Sequence, residues 1–340
     1  MVTLDDVAKV AGVSAMTVSR VINNPEKVRR STIEKVNGVI EQLGYRPNLL
    51  AKSLVVGKTK TIGIISSNMY NQVYTAIITA IEEIANKEGF VIINADVNTY
   101  SSAANAFDLL LGNKVDGIIL LPLEMNIKYI PNYKNALLET YKFLNYFEAA
   151  CRKYDVKAVT VSQEIEGMPN IAFDFVKQCD ISVRYLISKG YRKIAMINCY
   201  FPEGLWMDKE NRYIEIMNEH GLSDNVCVEK DVETIEGGKR AMKKLLEKNV
   251  PEAVYGANDI FAAGAIHAIY ENGLKIPEDI AVIGNDDFYI CNYLYPRLTS
   301  VALGAREAGT VAIRNLLSLL GGETVQNYVV KPSLVERDSV

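Results

Sequence analysis

Residues 3–23, TLDDVAKVAGVSAMTVSRVIN, set two short apolar-periodic segments on either side of a single glycine. Leu4, Val7, Ala8 and Ala11 recur at helical spacing. Thr3 stands at the N-cap position and Asp6 follows three residues later, so a helix is expected to begin at Leu4. Gly12 suits the left-handed residue that ends it. Val13 fills the corner, Ser14 caps a second helix, and Val18, Val21 and Ile22 form its inward stripe. Two short helices joined by a tight glycine-containing turn make a helix-turn-helix unit. A third helix is expected to start at Ser31 or Thr32, to turn Ile33, Val36, Val39, Ile40 and Leu43 inward, and to stop at Gly44. Gly38 sits inside that helix at a cost of roughly 1 kcal/mol relative to Ala, and close packing is the only reason the sequence suggests for it.

Charge separates this head from the rest. Residues 1–60 carry ten Lys/Arg against five acids, a balance of +5, so a chain at −4 leaves −9 for the remainder. A cationic head on an anionic body points to a polyanionic partner at one end only. The second helix would enter a major groove by its N-terminal end, with Ala15, Met16, Thr17, Ser19 and Arg20 facing outward. Arg20 can pair bidentately with guanine, whereas Ala15 and Met16 offer only apolar contact, best suited to a thymine methyl. Ser14, Thr17, Ser19 and Asn23 are short polar groups suited to phosphates. Arg29 and Thr32 complete the candidate DNA-contacting set. The competing reading is a three-helix module that docks on protein, and helical periodicity alone leaves both open.

After a VVGKTK tether at 55–60 the pattern changes. Continuous apolar runs (TIGIISS, FVIINAD, DGIILLP, KAVTVS, NIAFDF, KIAMINC, AVYGAND, IAVIGND) alternate with amphipathic helices at Tyr74–Lys87, up to Gly112, Val183–Lys189, up to Gly221, Gly237–Lys248 and Ile260–Asn272. Buried strands bracketed by helices imply parallel sheets with right-handed crossovers, and there are enough units for two doubly wound lobes. A ligand is then expected beyond the carboxyl ends of the strands, in the cleft between lobes. The N-terminus lacks a basic stretch followed by a long apolar run, and no segment reaches the ~20 apolar residues of a membrane span, so a cytoplasmic protein is expected. Five scattered cysteines without C-x-x-C spacing suggest reduced, buried thiols instead of a disulfide framework or zinc site. No acid, base and nucleophile come together in any motif. EGGKR at 236–240 lacks the glycine and the hydroxyl residue of a phosphate loop. Neither an enzyme nor a cofactor is expected.

The head motif, the ST-EKV stretch and LGYRPNLLAKSL together resemble the start of the LacI/GalR family of bacterial transcription regulators, almost without gaps through residues 2–60. The resemblance implies that Ala15, Met16 and Arg20 read bases. It also implies that the RPNxxAxxL segment is a hinge helix, with Asn48 and Ala51 in the minor groove and Leu54 as the wedge. DGIILLP, GANDIFAAGAIHAIYENGL, IPEDIAVIGNDD and YPRLTSV extend the resemblance, less tightly, over the body. They imply a two-lobed periplasmic-binding-protein fold. The expected layout is a head at 1–46, hinge and linker at 47–60, and a body at 61–340. Its first lobe is about 61–160 with 302–328, and its second about 161–301 with 329–340.

By the same resemblance Asn258 and Asp286 bind an effector, and Tyr70 and Asn71 line the pocket. Asn258 can equally cap the following helix, and Asp286 can equally fix a turn. Trp206, the only tryptophan, is either a stacking platform for a sugar or an exposed loop aromatic. Ser162 and Lys209, with Arg212 one turn on, stand where the family commonly has Asp and Arg. A Lys/Arg pair favours a phosphorylated sugar unless both are solvated surface charges. The expected protein is a homodimeric repressor on an inverted-repeat operator, dimerised through helix 74–87 and the helix after Ala305 and tuned by a sugar or sugar phosphate. The rivals are a regulator that senses a protein partner and a solute-uptake protein.

Overall fold

The computed structural model describes residues 2–46, 58–67, 69–97, 99–123, 133–200 and 204–340. Asn48, Ala51 and Leu54 of the expected hinge, and part of the Tyr-rich segment 124–155, lie outside the described residues. The chain forms two compact units, Met1–Lys60 and Thr61–Val340.

The head holds α1 (Leu4–Ala11), α2 (Ala15–Asn23) and α3 (Arg30–Leu43). The first cap is reciprocal: the Thr3 hydroxyl accepts the Asp6 N–H at 3.2 Å and the Asp6 carboxylate accepts the Thr3 N–H at 2.8 Å. Gly12 (φ 62°) and Gly44 (φ 61°) close α1 and α3 in the left-handed conformation that side chains disfavour. Val7, Ala8, Ala11, Val18, Val21 and Val36 form the small core. Two expectations need correction. α3 starts at Arg30, because the Arg29 carbonyl already accepts the N–H groups of Thr32 (2.9 Å) and Ile33 (3.1 Å); no side chain caps it. Gly38 is not there for close packing, since a Cβ at that position would meet nothing within 4 Å.

The body is built on two six-stranded sheets. The first contains β1 (Thr61–Ser66), β2 (Val91–Asp96), β3 (Gly117–Leu120), β4 (Lys157–Val161), β5 (Asn170–Phe173) and β11 (Tyr328–Val330), all parallel, in the order β11-β5-β4-β3-β1-β2. The second contains β6 (Ile194–Cys199), β7 (Cys227–Asp231), β8 (Ala253–Gly256), β9 (Ala281–Asp286), β10 (Thr299–Ala302) and β12 (Ser333–Val335), in the order β12-β10-β9-β8-β6-β7, antiparallel only at β12. Helices α4 (Gln72–Lys87), α5 (Tyr100–Gly112), α6 (Tyr133–Tyr154), α7 (Phe175–Ser188), α8 (Leu205–Glu219), α9 (Ile235–Lys248), α10 (Asp259–Glu271) and α11 (Ala305–Leu320) cover them. β3, β6 and β8 are buried at every residue, the signature of strands covered on both faces.

The lobes interleave differently from the expected boundaries. β5 pairs with β4 in the first sheet, so the chain crosses after Phe173 and not near residue 160. No helix separates β4 from β5, and that removes the helical spacing by which NIAF would read as a strand of the first lobe. The chain crosses back after Ala302 and a third time between Val330 and Ser333. YVV therefore belongs to the first lobe and SLV to the second. α7 begins eight residues before Val183, because Gln178, Asp180 and Ser182 are polar yet buried. The Tyr-rich segment supplies α6, whose Phe143 and Phe147 pack on Phe107 of α5 with ring centroids 6.5 and 4.7 Å apart. α4 and α11, expected to form a dimer contact, pack on each other within the protomer. Ile77 and Gly309 approach there, and Arg306 meets Glu83 at 2.7 Å. Only the outward faces of this pair remain for a partner.

Candidate functional site

The expected site residues gather in two places. In the head, Met16, Ser19, Arg20 and Asn23 share one face of α2, opposite the buried Val18 and Val21. Met16 is 65% exposed. Arg20 is exposed and has no acidic partner among the described residues, whereas Arg30 is paired with Glu34 at 3.0 Å. The Asn23 amide donates to the Ser19 carbonyl (3.0 Å), which fixes its direction. Ser14 and Thr17 are committed to the helix start: the Ser14 hydroxyl accepts the Thr17 N–H at 3.2 Å and lies 2.9 Å from the Thr17 hydroxyl. Ala15 is half-buried against the head core. Arg29 is the exposed cap residue of α3, and Thr32 lies in its first turn, half-buried.

In the body, a cavity of about 180 Å³ opens beyond the carboxyl ends of both sheets. The first lobe contributes Asn71 at the start of α4, Tyr74, Ser162 after β4 and Phe173 at the end of β5. The second contributes Phe175, Trp206 and Lys209 from the first turns of α7 and α8, and Glu233, Asn258 and Asp286 from the loops or ends of β7, β8 and β9. Engineered apolar cavities of about 150 Å³ accommodate a benzene ring, so this one suits a ligand of single-ring size.

Each polar wall residue is held by the frame. Asn71 caps α4 by accepting the Val73 N–H at 2.9 Å. Asn258 does both things the sequence left open. Its carbonyl accepts the Phe261 N–H (3.1 Å) and caps α10, while its amide donates to Glu233 at 2.7 Å across the cavity wall. Asp286 (φ 96°) and Ser162 (φ 50°) lie at positive φ, a strained choice for residues with side chains and one that concentrates at functional sites. The Gln178 amide donates to the Asp286 carboxylate at 3.0 Å. Burial pushes the Asp286 carboxyl up from its usual range, against the pull of Lys209. Lys209 is fully buried, and its amine donates to the Ala257 carbonyl at 2.8 Å. The amine also lies 5.6 Å from the Phe175 ring centre and 5.8 Å from that of Trp206. Desolvation lowers its pKa, opposed by Asp286 and other nearby acids.

Six of the eight expected effector residues thus meet around one cavity: Asn71, Ser162, Trp206, Lys209, Asn258 and Asp286. Two do not. Tyr70 is 98% exposed and outside the wall. Arg212 turns away to pair with Asp180 (2.7 Å), Glu215 (2.9 Å) and Glu219 (3.1 Å), so it forms no basic pair with Lys209. Trp206 is not a loose loop aromatic; it is half-buried, edge-on to Phe261 at 6.2 Å. Glu233, Tyr74 and Phe175 are wall residues that sequence reasoning missed. Glu233 follows a polar edge strand that apolar patterning does not mark, and Phe175 opens the part of α7 that was not recognised.

Residues 3–48 match the model of the bacterial regulatory proteins of the lacI family, and residues 183–340 match a periplasmic binding protein-like domain. The HTH-type transcriptional regulator RegA of Clostridium saccharobutylicum is 32% identical over 99% of this chain and 98% of its own. Catabolite control protein A of Priestia megaterium is also 32% identical, over 97% and 96%. The chain belongs to the LacI family. Among solved structures, a lac repressor dimer bound to operator and the anti-inducer ONPF superposes with a TM-score of 0.79 at 27% identity, covering 99% of this chain and 98% of that one. As a LacI-family regulator the protein is a DNA-binding protein of transcription control, and the solute-uptake reading falls. Its relatives are regulators and not enzymes. No helix among its described residues is long and apolar enough to cross a membrane.

Proposed function

We propose that this protein is a homodimeric repressor acting on an inverted-repeat operator in the cytoplasm and released or engaged by a small polyhydroxylated ligand in the interlobe cavity. The observation that carries the ligand reading is the cavity itself. Residues from the strand ends of both lobes converge on a space of single-ring size, with amides, carboxylates and aromatic faces in its wall. The CelR–cellobiose structure, with a TM-score of 0.66 at 25% identity, supports a carbohydrate. The lac repressor dimer on its operator supports a two-fold protein on a two-fold site.

In the head, Arg20 and Met16 read bases, with Ala15 beside them. Ser14, Thr17, Ser19, Asn23, Arg29 and Thr32 position α2 or meet phosphates. By family resemblance Asn48, Ala51 and Leu54 act in the minor groove. Across the cleft rim the Tyr289 N–H donates to the Gln72 side chain at 2.9 Å, linking the second lobe to the first. A ligand that alters the lobe angle must make or break such contacts, and coupling of this kind is worth about 1–3 kcal/mol. Selection of bound duplexes from a random pool, repeated with Arg20→Ala, tests the head. The variant should lose base preference at one position in each half-site. An equal loss on all sequences would reduce Arg20 to a phosphate contact.

A further inference from the structure

We infer that Gln178, buried behind the cavity and outside its wall, is a positioning residue for the effector, acting through Asp286, whose carboxylate it aims; this rests on the reading of the cavity as the effector site. Gln178 lies on α7 and is fully buried. Both hydrogens of its amide are committed. One goes to the Val301 carbonyl at 2.9 Å and the other to Asp286 Oδ1 at 3.0 Å. Val301 stands at the end of β10, next to Ala302, which is the register partner of Asp286. The first bond anchors the planar amide to the main chain, and the second holds the carboxylate. Lys209 also bears on Asp286, but through its charge, which gives attraction without a fixed direction. Among the described residues the Gln178 amide is the hydrogen-bond donor to that carboxylate, and it leaves Oδ2 for a ligand hydroxyl. The positive φ of Asp286 (96°) is a conformation that needs such a hold.

Gln178 belongs to a polar seam between α7 and the second sheet. One turn on, the Ser182 hydroxyl donates to the Asn285 side chain at 2.7 Å, and the Asn285 amide donates to the Tyr255 hydroxyl at 2.8 Å. Asn285 immediately precedes Asp286, so the seam registers the helix on the strand that carries the effector residue. Packing alone does not account for it. Gln178 Oε1 is buried and meets no hydrogen-bond partner among the described residues, a cost that an apolar side chain of the same length would avoid. The two bonds of the amide, and not its bulk, are then what this position supplies.

Titration calorimetry of the full chain with glucose, galactose, cellobiose and lactose selects a sugar that binds. Gln178→Met, which keeps the length and loses both bonds, should bind that sugar about tenfold more weakly, a ratio equal to ~1.4 kcal/mol. Gln178→Leu replaces it if the methionine variant lacks an intact melting transition. A cycle with Asp286→Gly separates aiming from packing, since glycine accepts the positive φ. On that background Gln178→Met should cost less than about twofold, because the group it aims is gone. Asp286→Asn takes the place of glycine in the cycle if the glycine variant binds no sugar. Ser182→Ala, which opens the same seam without touching Asp286, should also cost less than about twofold. If Gln178→Met binds like the native protein, if its loss adds in full to that of the Asp286 variant, or if Ser182→Ala costs as much, the inference fails while the cavity remains a sugar site. If no sugar binds, the carbohydrate reading falls and the inference falls with it.

Discussion

Asp259 opens α10 with its carboxyl fully buried, one residue from Asn258 in the cavity wall. Its carboxylate accepts the Ser300 hydroxyl at 2.6 Å and the Phe288 N–H at 2.7 Å, and so ties down the loop that follows Asp286. Burial, and then the neighbouring charge of Asp286, push its pKa from 3.8 up to about 8. A carboxyl raised in the folded state binds its proton more readily there than in the unfolded chain. Its stabilising contribution is whole below the unfolded pKa of 3.8, shrinks as pH rises, and is gone above about 8. The slope is about 1.4 kcal/mol per pH unit, so between about pH 5 and 7 the folded body loses about 2–3 kcal/mol on this account alone. Asp259→Asn keeps the shape and an acceptor but has no proton to exchange. Urea unfolding of both proteins, followed by the fluorescence of Trp206, reports on the body, because the chain has no other tryptophan. The stability of the native protein minus that of the variant should fall by about 2–3 kcal/mol from pH 5 to 7. A flat difference would mean that Asp259 is ionised throughout, and that its two hydrogen bonds outweigh burial.

Gly38→Ala should raise the melting temperature of the head, since the added methyl meets open space and the helix gains about 0.5–1 kcal/mol; a lower melting temperature would reveal a contact the protomer does not show. Gly264→Ala should destabilise the body by about 1–3 kcal/mol in urea, because its Cβ would overlap the Ile235 carbonyl and the Lys239 amide of α9; an unchanged midpoint would show that α9 and α10 can part freely. Asn258→Ser keeps a cap for α10 but loses the 2.7 Å bond to Glu233, whereas Asn258→Ala loses both. The alanine variant should be about 1 kcal/mol less stable than the serine variant by denaturation, and equal stabilities would remove the cap from the account.

What could be read from the residues, and what could not, follows the physics of each segment. The head was legible because its signals are local: Thr3 with Asp6, Gly12, Ser14 and Gly44 each act within a turn of their own position. Arg29 starts α3 through a main-chain bond and no side-chain cap, so nothing in its side chain announces the boundary. Buried strands such as KIAMINC were visible as apolar runs. CVEKD and SLV were not, because β7 and β12 are edge strands with few buried residues. In the cavity, Asn258 and Asp286 were found by their positions after strands, whereas Arg212 misled. Placed one turn beyond Lys209, it reaches along α7 and away from the cavity, where Asp180 attracts it from a different helix. Such a contact, thirty-two residues apart, cannot be read from spacing along one helix.

The crossings explain why a ligand in this cavity would act on the whole body. The chain passes between lobes after β5, after β10 and after β11, each time at the carboxyl end of a strand, the end at which the cavity also opens. Phe173 and Phe175 flank the first crossing, Leu303 begins the second, and all three line the cavity. A ligand there touches the segments about which the lobes would turn, and needs no long path of intermediate contacts. Positive φ at Ser162 and Asp286 belongs to the same arrangement. These residues are held in costly conformations by the strands behind them, so a ligand that bonds to their side chains pulls directly on β4 and β9. The frame and the site are then one structure: Asn71 and Asn258 cap the helices that each lobe presents to the cleft, and a ligand that engages both amides favours the lobe angle at which the two caps face each other.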